Sequence, residues 1–119
     1  MSLLTSILIL AIIAFHFYAF VLEVFFWQKP LGLKTFGLTA AAAASSHTLA
    51  INQGIYNLFL VAGFIWSLLV SDPLASQLQI FFLGCVLAAA ITAGLVSSKR
   101  IMLLQGVPAL VTLLLVLFT

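Results

Sequence analysis

Polar side chains are few in this 119-residue chain, and several of them fall inside long apolar segments. Hydrocarbon penalises a polar group unless that group faces the interior of a protein, so these residues mark where chemistry could take place. Carboxyl and imidazole groups exchange protons, and carboxamides both donate and accept hydrogen bonds, which suits binding of a small molecule or an ion. The candidate residues for binding a ligand or a proton are His16, Glu23, Asn52, Gln53, Tyr56, Asn57 and Gln105.

The first apolar segment carries two groups that can exchange protons, His16 and Glu23. Seven residues apart on a helix, at about 100° per residue, they fall within about 20° of each other. The same stripe holds Thr5, Ile12, Phe20 and Trp27. We expect this stripe to face inward, which makes Glu23 a buried carboxyl. Because Glu23 lies near the end of its segment, the alternative is an interfacial carboxylate that reaches water, Lys29 or Lys34.

The second segment carries a cluster of polar residues within an arc of about 140° on a helical wheel. The cluster is formed by Asn52, Gln53, Tyr56 and Asn57, and the opposite face by Leu58, Val61 and Ile65. We expect the polar arc to face inward and to share a pocket with Glu23. The alternative is that these amides only join helices, at about 1 kcal/mol or less per contact.

The last segment adds Gln105, which is followed three residues later by Pro108. Proline lacks an N–H, so the Leu104 carbonyl loses its usual helical donor beside Gln105. Except for the deeper His16, the candidate groups lie within about 12 Å of the same ends of their helices. The sequence therefore predicts a polar pocket that opens toward one side of the membrane.

The composition decides the broad class of protein. Hydrophobic residues make up 66% of the chain and charged residues 5%, with a mean hydropathy of +1.39. Soluble domains carry about 25% charged residues, so lipid must cover this surface. Four basic residues do not make a surface for nucleic acid, and we exclude that partner. With a single cysteine, Cys85, no intrachain disulfide forms, and we predict neither a metal site nor a cofactor.

The hydrophobic pattern predicts an all-α fold, an integral membrane four-helix bundle in a single domain. The predicted spans are about 3–27, 48–70, 73–96 and 101–118. Pro30 and Gly32 interrupt the longer first loop, after which Thr39 caps a short Ala-rich turn over 40–44 at the interface. In the second loop we expect Asp72 to cap the third helix and Pro73 to occupy its first position.

The third span has small residues at a spacing of four. One row consists of Gly84, Ala88 and Thr92, and a second row of Ala90 and Gly94. Small residues let a neighbouring backbone approach closely, so we expect this face to pack within the bundle. The alternative is a seam between two copies in a homo-oligomer.

Basic residues predict the orientation, because cytoplasmic loops are enriched in Lys and Arg. Lys29 and Lys34 lie in the first loop, and Lys99 and Arg100 in the third, whereas the second loop and both tails have none. We therefore predict that the first and third loops are cytoplasmic and that both termini lie outside. This orientation places the predicted polar pocket in the cytoplasmic half of the bundle. The first segment lacks the features of a cleaved signal peptide, so we expect it to be retained.

The motifs together resemble a known family. The matching residues are His16, Glu23, Trp27, 34–39, 52–57, 81–85 and 105–109. This pattern resembles the bacterial family known as domain of unknown function 1304, small four-span membrane proteins, over nearly the whole chain, and segment 52–57 is its most specific part. The resemblance implies a four-span fold in a bacterial cytoplasmic membrane, and it implies no activity.

Three functions stay open at this point. The first is transport or binding of a small molecule or ion, with Glu23 coupling occupancy to protonation. The second is a membrane-embedded enzyme that acts on a lipid-like substrate with Glu23 and His16 as acid and base. These two groups are about 10 Å apart along the helix, so a substrate or water would have to lie between them. The third is an accessory subunit of a membrane complex.

Overall fold

A computed structural model describes residues 2–119, and within that range the chain contains only helices and their connections. The helices are α1 (Leu3–Phe25), α2 (Pro30–Phe36), α3 (Ala40–Leu69), α4 (Leu74–Val96) and α5 (Lys99–Phe118). By length and composition, α1, α3, α4 and α5 can each cross a membrane. The predicted all-α fold with four spans is confirmed.

The first loop differs from its prediction. The interruption at Pro30 and Gly32 is a short helix, α2, in which Pro30 is the first residue. Proline fits that position because the N–H it lacks would have no partner within the helix. Gly37 ends α2 with φ at 64°, a left-handed conformation that glycine adopts without steric cost.

The start of the second span is also earlier than predicted. The turn predicted over 40–44 is the first part of α3, a continuous helix of 30 residues. Alanine is the best helix former, and neither Pro nor Gly interrupts the chain before Gly54. Thr39 caps this helix as predicted, because its hydroxyl accepts a hydrogen bond from the Ala42 N–H at 3.1 Å.

Short polar turns begin the last two helices. The Asp72 carboxylate accepts hydrogen bonds from the Ser76 backbone N–H at 2.9 Å and from the Ser76 hydroxyl at 2.6 Å. Asp72 therefore satisfies a first-turn donor of α4, whereas Pro73 precedes the helix instead of opening it. The last helix begins at Lys99, two residues before the prediction, with Ser98 as its N-cap.

The residues separate into two compact units, which are described in turn. The 14–62 unit contains the second part of α1, α2 and most of α3. Its contacts place α1 and α3 antiparallel, because Trp27 bonds to Ser46 while Glu23 bonds to Asn57. Its fully or nearly buried side chains are His16, Leu22, Glu23, Ala43, Ala50, Asn57 and Val61.

The 63–119 unit, which also includes the described residues up to Ile13, contains the packed pair α4 and α5. Small residues meet there, since a Cβ on Gly106 would lie 3.2 Å from the Cβ of Ala90. The buried stripe of α4 runs through Gln79, Leu83, Val86 and Ala90. The predicted packing row of Gly84, Ala88 and Thr92 is exposed, so that prediction is wrong. The row lies on the opposite face from Leu83 and Val86, whose larger apolar surfaces are buried instead.

Candidate functional site

A buried hydrogen bond joins two of the predicted site residues in the 14–62 unit. The side-chain amide of Asn57 donates to Oε1 of Glu23 at 2.5 Å, linking α3 to α1. Each of the two side chains is only 7% exposed. The structure therefore brings Glu23 and Asn57 together, and the alternative of an exposed interfacial carboxylate is wrong. We call these two residues the Glu23–Asn57 pair.

Gly54 determines how closely the two helices approach at this pair. It lies one turn before Asn57, and a Cβ added to it would lie 2.6 Å from Cγ2 of Val24 and 3.3 Å from Cβ of Glu23. Real Cβ atoms do not come as close as the first of these distances. The absence of a side chain at position 54 therefore lets the Asn57 amide reach the Glu23 carboxyl.

His16 lies on the same buried face of α1, at 2% exposure. Its ring meets the Phe15 ring edge-on, with centroids 5.2 Å apart and planes at 78°. The inward orientation predicted for His16 and Glu23 is thus confirmed, although Phe20 and Trp27 of the same stripe are half-buried. Two helical turns, or about 10 Å, separate His16 from Glu23 along the axis.

The structure leaves three predicted site residues of α3 exposed, namely Asn52, Gln53 and Tyr56. Their predicted inward position is wrong. The buried face of α3 passes instead through Ala50, Gly54, Asn57 and Val61. Four polar side chains spread over an arc of about 140° cannot all face a single neighbouring helix, and the close approach at Gly54 selects Asn57. A role of the three exposed residues in binding a ligand stays a prediction.

Gln105 is half-buried in the 63–119 unit, next to the packed Gly106. Helix α5 continues through Pro108, and the Thr112 hydroxyl donates to the Pro108 carbonyl at 2.7 Å. The predicted contribution of Gln105 to a pocket with Glu23 stays a prediction.

Near the end of α1, Trp27 connects three helices of the 14–62 unit. Its indole N–H donates to the Ser46 hydroxyl of α3 at 3.0 Å. The centroid of its ring lies 4.9 Å from the centroid of the Phe36 ring of α2. The adjacent His47 has a buried Nδ1 with no hydrogen-bond partner in residues 2–119. Nδ1 of His47 is therefore a donor or an acceptor, depending on the tautomer, that is available to a ligand or water.

Sequence reasoning missed a second polar feature, in the 63–119 unit beside the turn that joins α3 to α4. It is a cavity of about 100 Å³ lined by Thr5, Asp72, Ser76, Gln79, Val116 and Thr119. The hydroxyl and then the backbone N–H of Ser76 hold the pKa of Asp72 below its ordinary value of 3.8. We call this feature the Asp72 cavity. The signal that could have found it is Gln79, a carboxamide five residues inside the third span.

The donor set limits the metal chemistry that the described chain can support. Across residues 2–119, no group of three or more His, Cys, Asp or Glu side chains is placed to hold a metal ion. Such groups are what zinc and most transition metals require. What the structure shows at the Glu23–Asn57 pair is a hydrogen bond.

The fold and the pair define a small all-α membrane protein with a carboxyl and a carboxamide hydrogen-bonded in its interior. The family model described as protein of unknown function DUF1304 matches residues 9–117, so the chain belongs to that family and the resemblance is confirmed. The uncharacterized protein YpaA of Lactococcus lactis subsp. lactis (strain IL1403) is 33% identical over 118 residues, which cover 96% of this chain and 97% of YpaA. No solved structure matches the chain.

Proposed function

We propose that this membrane protein binds and transports a small molecule or an ion, and that the Glu23–Asn57 pair is its central binding group. The observation that carries the proposal is the buried hydrogen bond between α1 and α3. An ionisable residue inside a membrane span is costly, and such residues commonly mark pathways for substrates, ions or protons. Glu23 is the sole glutamate of the chain.

The pair has two hydrogen-bonding arrangements, and this supports coupling between a ligand and a proton. With Glu23 ionised, both of its carboxylate oxygens are acceptors, and Oε1 lies in reach of the Asn57 amide N–H. With Glu23 protonated, its hydroxyl becomes a donor to the Asn57 carbonyl oxygen or to a ligand, while its carbonyl oxygen remains an acceptor. A ligand that hydrogen-bonds to Glu23 or Asn57 would favour one of these two arrangements. Ligand binding would therefore change the proton occupancy of Glu23, since the ligand and the proton bind to the same groups.

Binding accounts for the geometry better than an enzyme reaction does. An acid and base pair formed by Glu23 and His16 would need hydrogen-bond reach, directly or through one water. Their separation of about 10 Å along α1 is too long for direct transfer, so that reaction would need a substrate or water between them. Asn57, by contrast, already contacts Glu23 directly.

The experiment uses the full chain in liposomes that contain a pH-sensitive dye, with a panel of organic cations and weak acids as candidate substrates. We expect substrate-driven proton flux in the wild type and its loss in Glu23→Gln, which keeps the shape of the side chain but cannot ionise. Asn57→Leu should reduce the flux about tenfold or more, because it removes the amide that contacts the carboxyl.

Thr48→Val is the control, since Thr48 is an exposed polar residue of the same helix and is not a candidate site residue. It should keep the wild-type flux. Wild-type proton flux in Glu23→Gln would reject the coupling role of the carboxyl.

A further inference from the structure

Three polar side chains lie exposed on one side of α3, within the predicted second span. They belong to Asn52, Gln53 and Tyr56, and the Tyr56 side chain is 55% exposed. Tyr56 follows Asn52 by four residues and Gln53 by three, so the three side chains are neighbours on the helix surface. We call these three residues the α3 polar face.

The α3 polar face lies at the depth of the hydrocarbon. Asn52 is 17 residues from Leu69, the last residue of α3, which corresponds to about 26 Å along the helix. The hydrocarbon core is about 30 Å thick, so a helix that enters it at Leu69 still carries Asn52 inside it. Leu49, one turn nearer the first loop, is 74% exposed, and such a side chain suits lipid and not water.

The amides of the α3 polar face lack partners. Within residues 2–119, the side chains of Asn52 and Gln53 form no hydrogen bond. An exposed hydroxyl such as that of Thr92 differs, because it donates to the Ala88 carbonyl of its own helix at 2.8 Å. A carboxamide without a partner is costly in hydrocarbon, so a polar surface has to cover the α3 polar face.

We propose that the α3 polar face is the interface through which two copies of this chain form a dimer. A carboxamide carries donors and an acceptor, so the face is complementary to itself. The Lys and Arg bias predicts one orientation for every copy. A twofold axis along the membrane normal then brings Asn52 of one copy level with Asn52 of the second copy. Carboxamides that bond across helices in this way stabilise helix pairs in membranes.

A second copy fits this surface better than the other possible occupants do. Acyl chains offer no hydrogen-bonding group, and the α3 polar face carries no charge that would select a charged headgroup. The exposed row of Gly84, Ala88 and Thr92 on α4 is another possible seam, but it contains no carboxamide. Its one hydroxyl is already bonded within its own helix.

Energy transfer between donor-labelled and acceptor-labelled copies of the full chain in liposomes tests the proposal. The fluorophores are attached at Ser71→Cys in a Cys85→Ala background, which leaves α3 unchanged. We expect transfer in this background that falls as lipid is added and the dimer dissociates. Asn52→Leu/Gln53→Leu should weaken dimerisation about tenfold or more, because it removes the amides that pair across the axis.

The matched control is Gln77→Leu, the same kind of change at an exposed carboxamide near the start of α4. Water reaches a side chain so close to the end of a span, so this amide needs no partner from a second copy. The variant should dimerise like the unmodified α3 background.

Cysteine cross-linking locates the interface independently. Gln53→Cys should form a disulfide-linked dimer on oxidation with copper phenanthroline, because residues at equal depth meet across the axis, whereas Ala88→Cys should not. The proposal is overturned by an absence of energy transfer, by transfer that Asn52→Leu/Gln53→Leu leaves unchanged, or by cross-linking at position 88 and not at 53. Glu23→Gln should keep the dimer, so failure of the α3 polar face and failure of the Glu23–Asn57 pair are distinguishable.

Discussion

At the residue scale, the main cost in this protein is that of placing Glu23 inside a membrane span. The Asn57 amide offsets that cost with a hydrogen bond at 2.5 Å between two side chains that are each 7% exposed. Hydrogen bonds to charged groups are stronger than those between neutral groups, and a buried charge that loses its partner is costly. The two residues should therefore behave as one unit when they are mutated.

We predict that Asn57→Leu lowers the free energy of unfolding by about 1–3 kcal/mol, because it leaves the Glu23 carboxyl without this donor. In the double variant Glu23→Leu/Asn57→Leu, part of that loss should be recovered, since both polar partners are gone. Chemical unfolding in detergent micelles measures the cycle. Strictly additive losses in the double variant would show that the two side chains do not interact.

The carboxyl of Asp72 should make the stability of the folded chain depend on pH. Its pKa lies below the ordinary value of 3.8 in the folded chain, because the Ser76 hydroxyl and backbone N–H bond to the carboxylate. A carboxyl whose pKa is lowered by folding stabilises the fold at pH above the unfolded value of 3.8, and this contribution is lost as the pH falls through the lower, folded pKa.

The Tm difference between wild type and Asp72→Asn should therefore be present at neutral pH and should close as the pH falls below about 3.8. Thermal scans across an acidic series measure it. A difference of the same size at all pH values would contradict the assigned role of the carboxylate.

At the scale of elements, the contact between α1 and α3 depends on Gly54. A methyl group there would lie 2.6 Å from Cγ2 of Val24. We predict that Gly54→Ala destabilises the protein by about 1–3 kcal/mol, the usual cost of overpacking. It should also weaken the Glu23–Asn57 contact.

Gly84→Ala is the matched control, because a Cβ at Gly84 meets nothing within 4 Å. This variant should be neutral or slightly more stable, since alanine favours a helix over glycine. Unfolding in detergent compares the two variants, and equal stability of Gly54→Ala and Gly84→Ala would refute the close packing at position 54.

Helical periodicity was sufficient to predict α1 but not α3. On α1, His16 and Glu23 share a face because they are seven residues apart, and both are buried. On α3, the polar residues alone suggested an inward arc, but Gly54 determines the contact, and a missing side chain gives no polar signal. The sequence predicts an interfacial turn over 40–44, whereas these residues form the first part of α3 because alanine favours a helix.

The Asp72 cavity shows a different limit of sequence reasoning. Its lining residues Thr5, Gln79 and Thr119 come from distant parts of the chain. A single sequence contains no periodicity that relates such positions, so each one alone reads as a polar residue near the end of a span. Only the fold brings them to one cavity.

At the scale of the whole molecule, the orientation predicted from Lys and Arg can be tested by labelling. The single cysteine, Cys85, is first replaced by Ala, and new cysteines are introduced by Lys34→Cys and Ser71→Cys. A membrane-impermeant maleimide added to intact cells should label position 71 and spare position 34, because basic loops stay in the cytoplasm. Labelling of position 34 with protection of position 71 would show that the orientation is the reverse of the predicted one.

The central claim, that the Glu23–Asn57 pair lies inside the membrane and exchanges a proton, can be tested with one isotope label. Because Glu23 is the sole glutamate, carbon-13 glutamate labels this side chain alone, and nitrogen-15 asparagine labels only Asn52 and Asn57. Solid-state NMR in lipid should show a dipolar coupling from the Glu23 carboxyl to one asparagine side chain, lost in Asn57→Leu and kept in Asn52→Leu. The carboxyl shift should also titrate with pH. No coupling, or a shift that does not change with pH, would contradict the account.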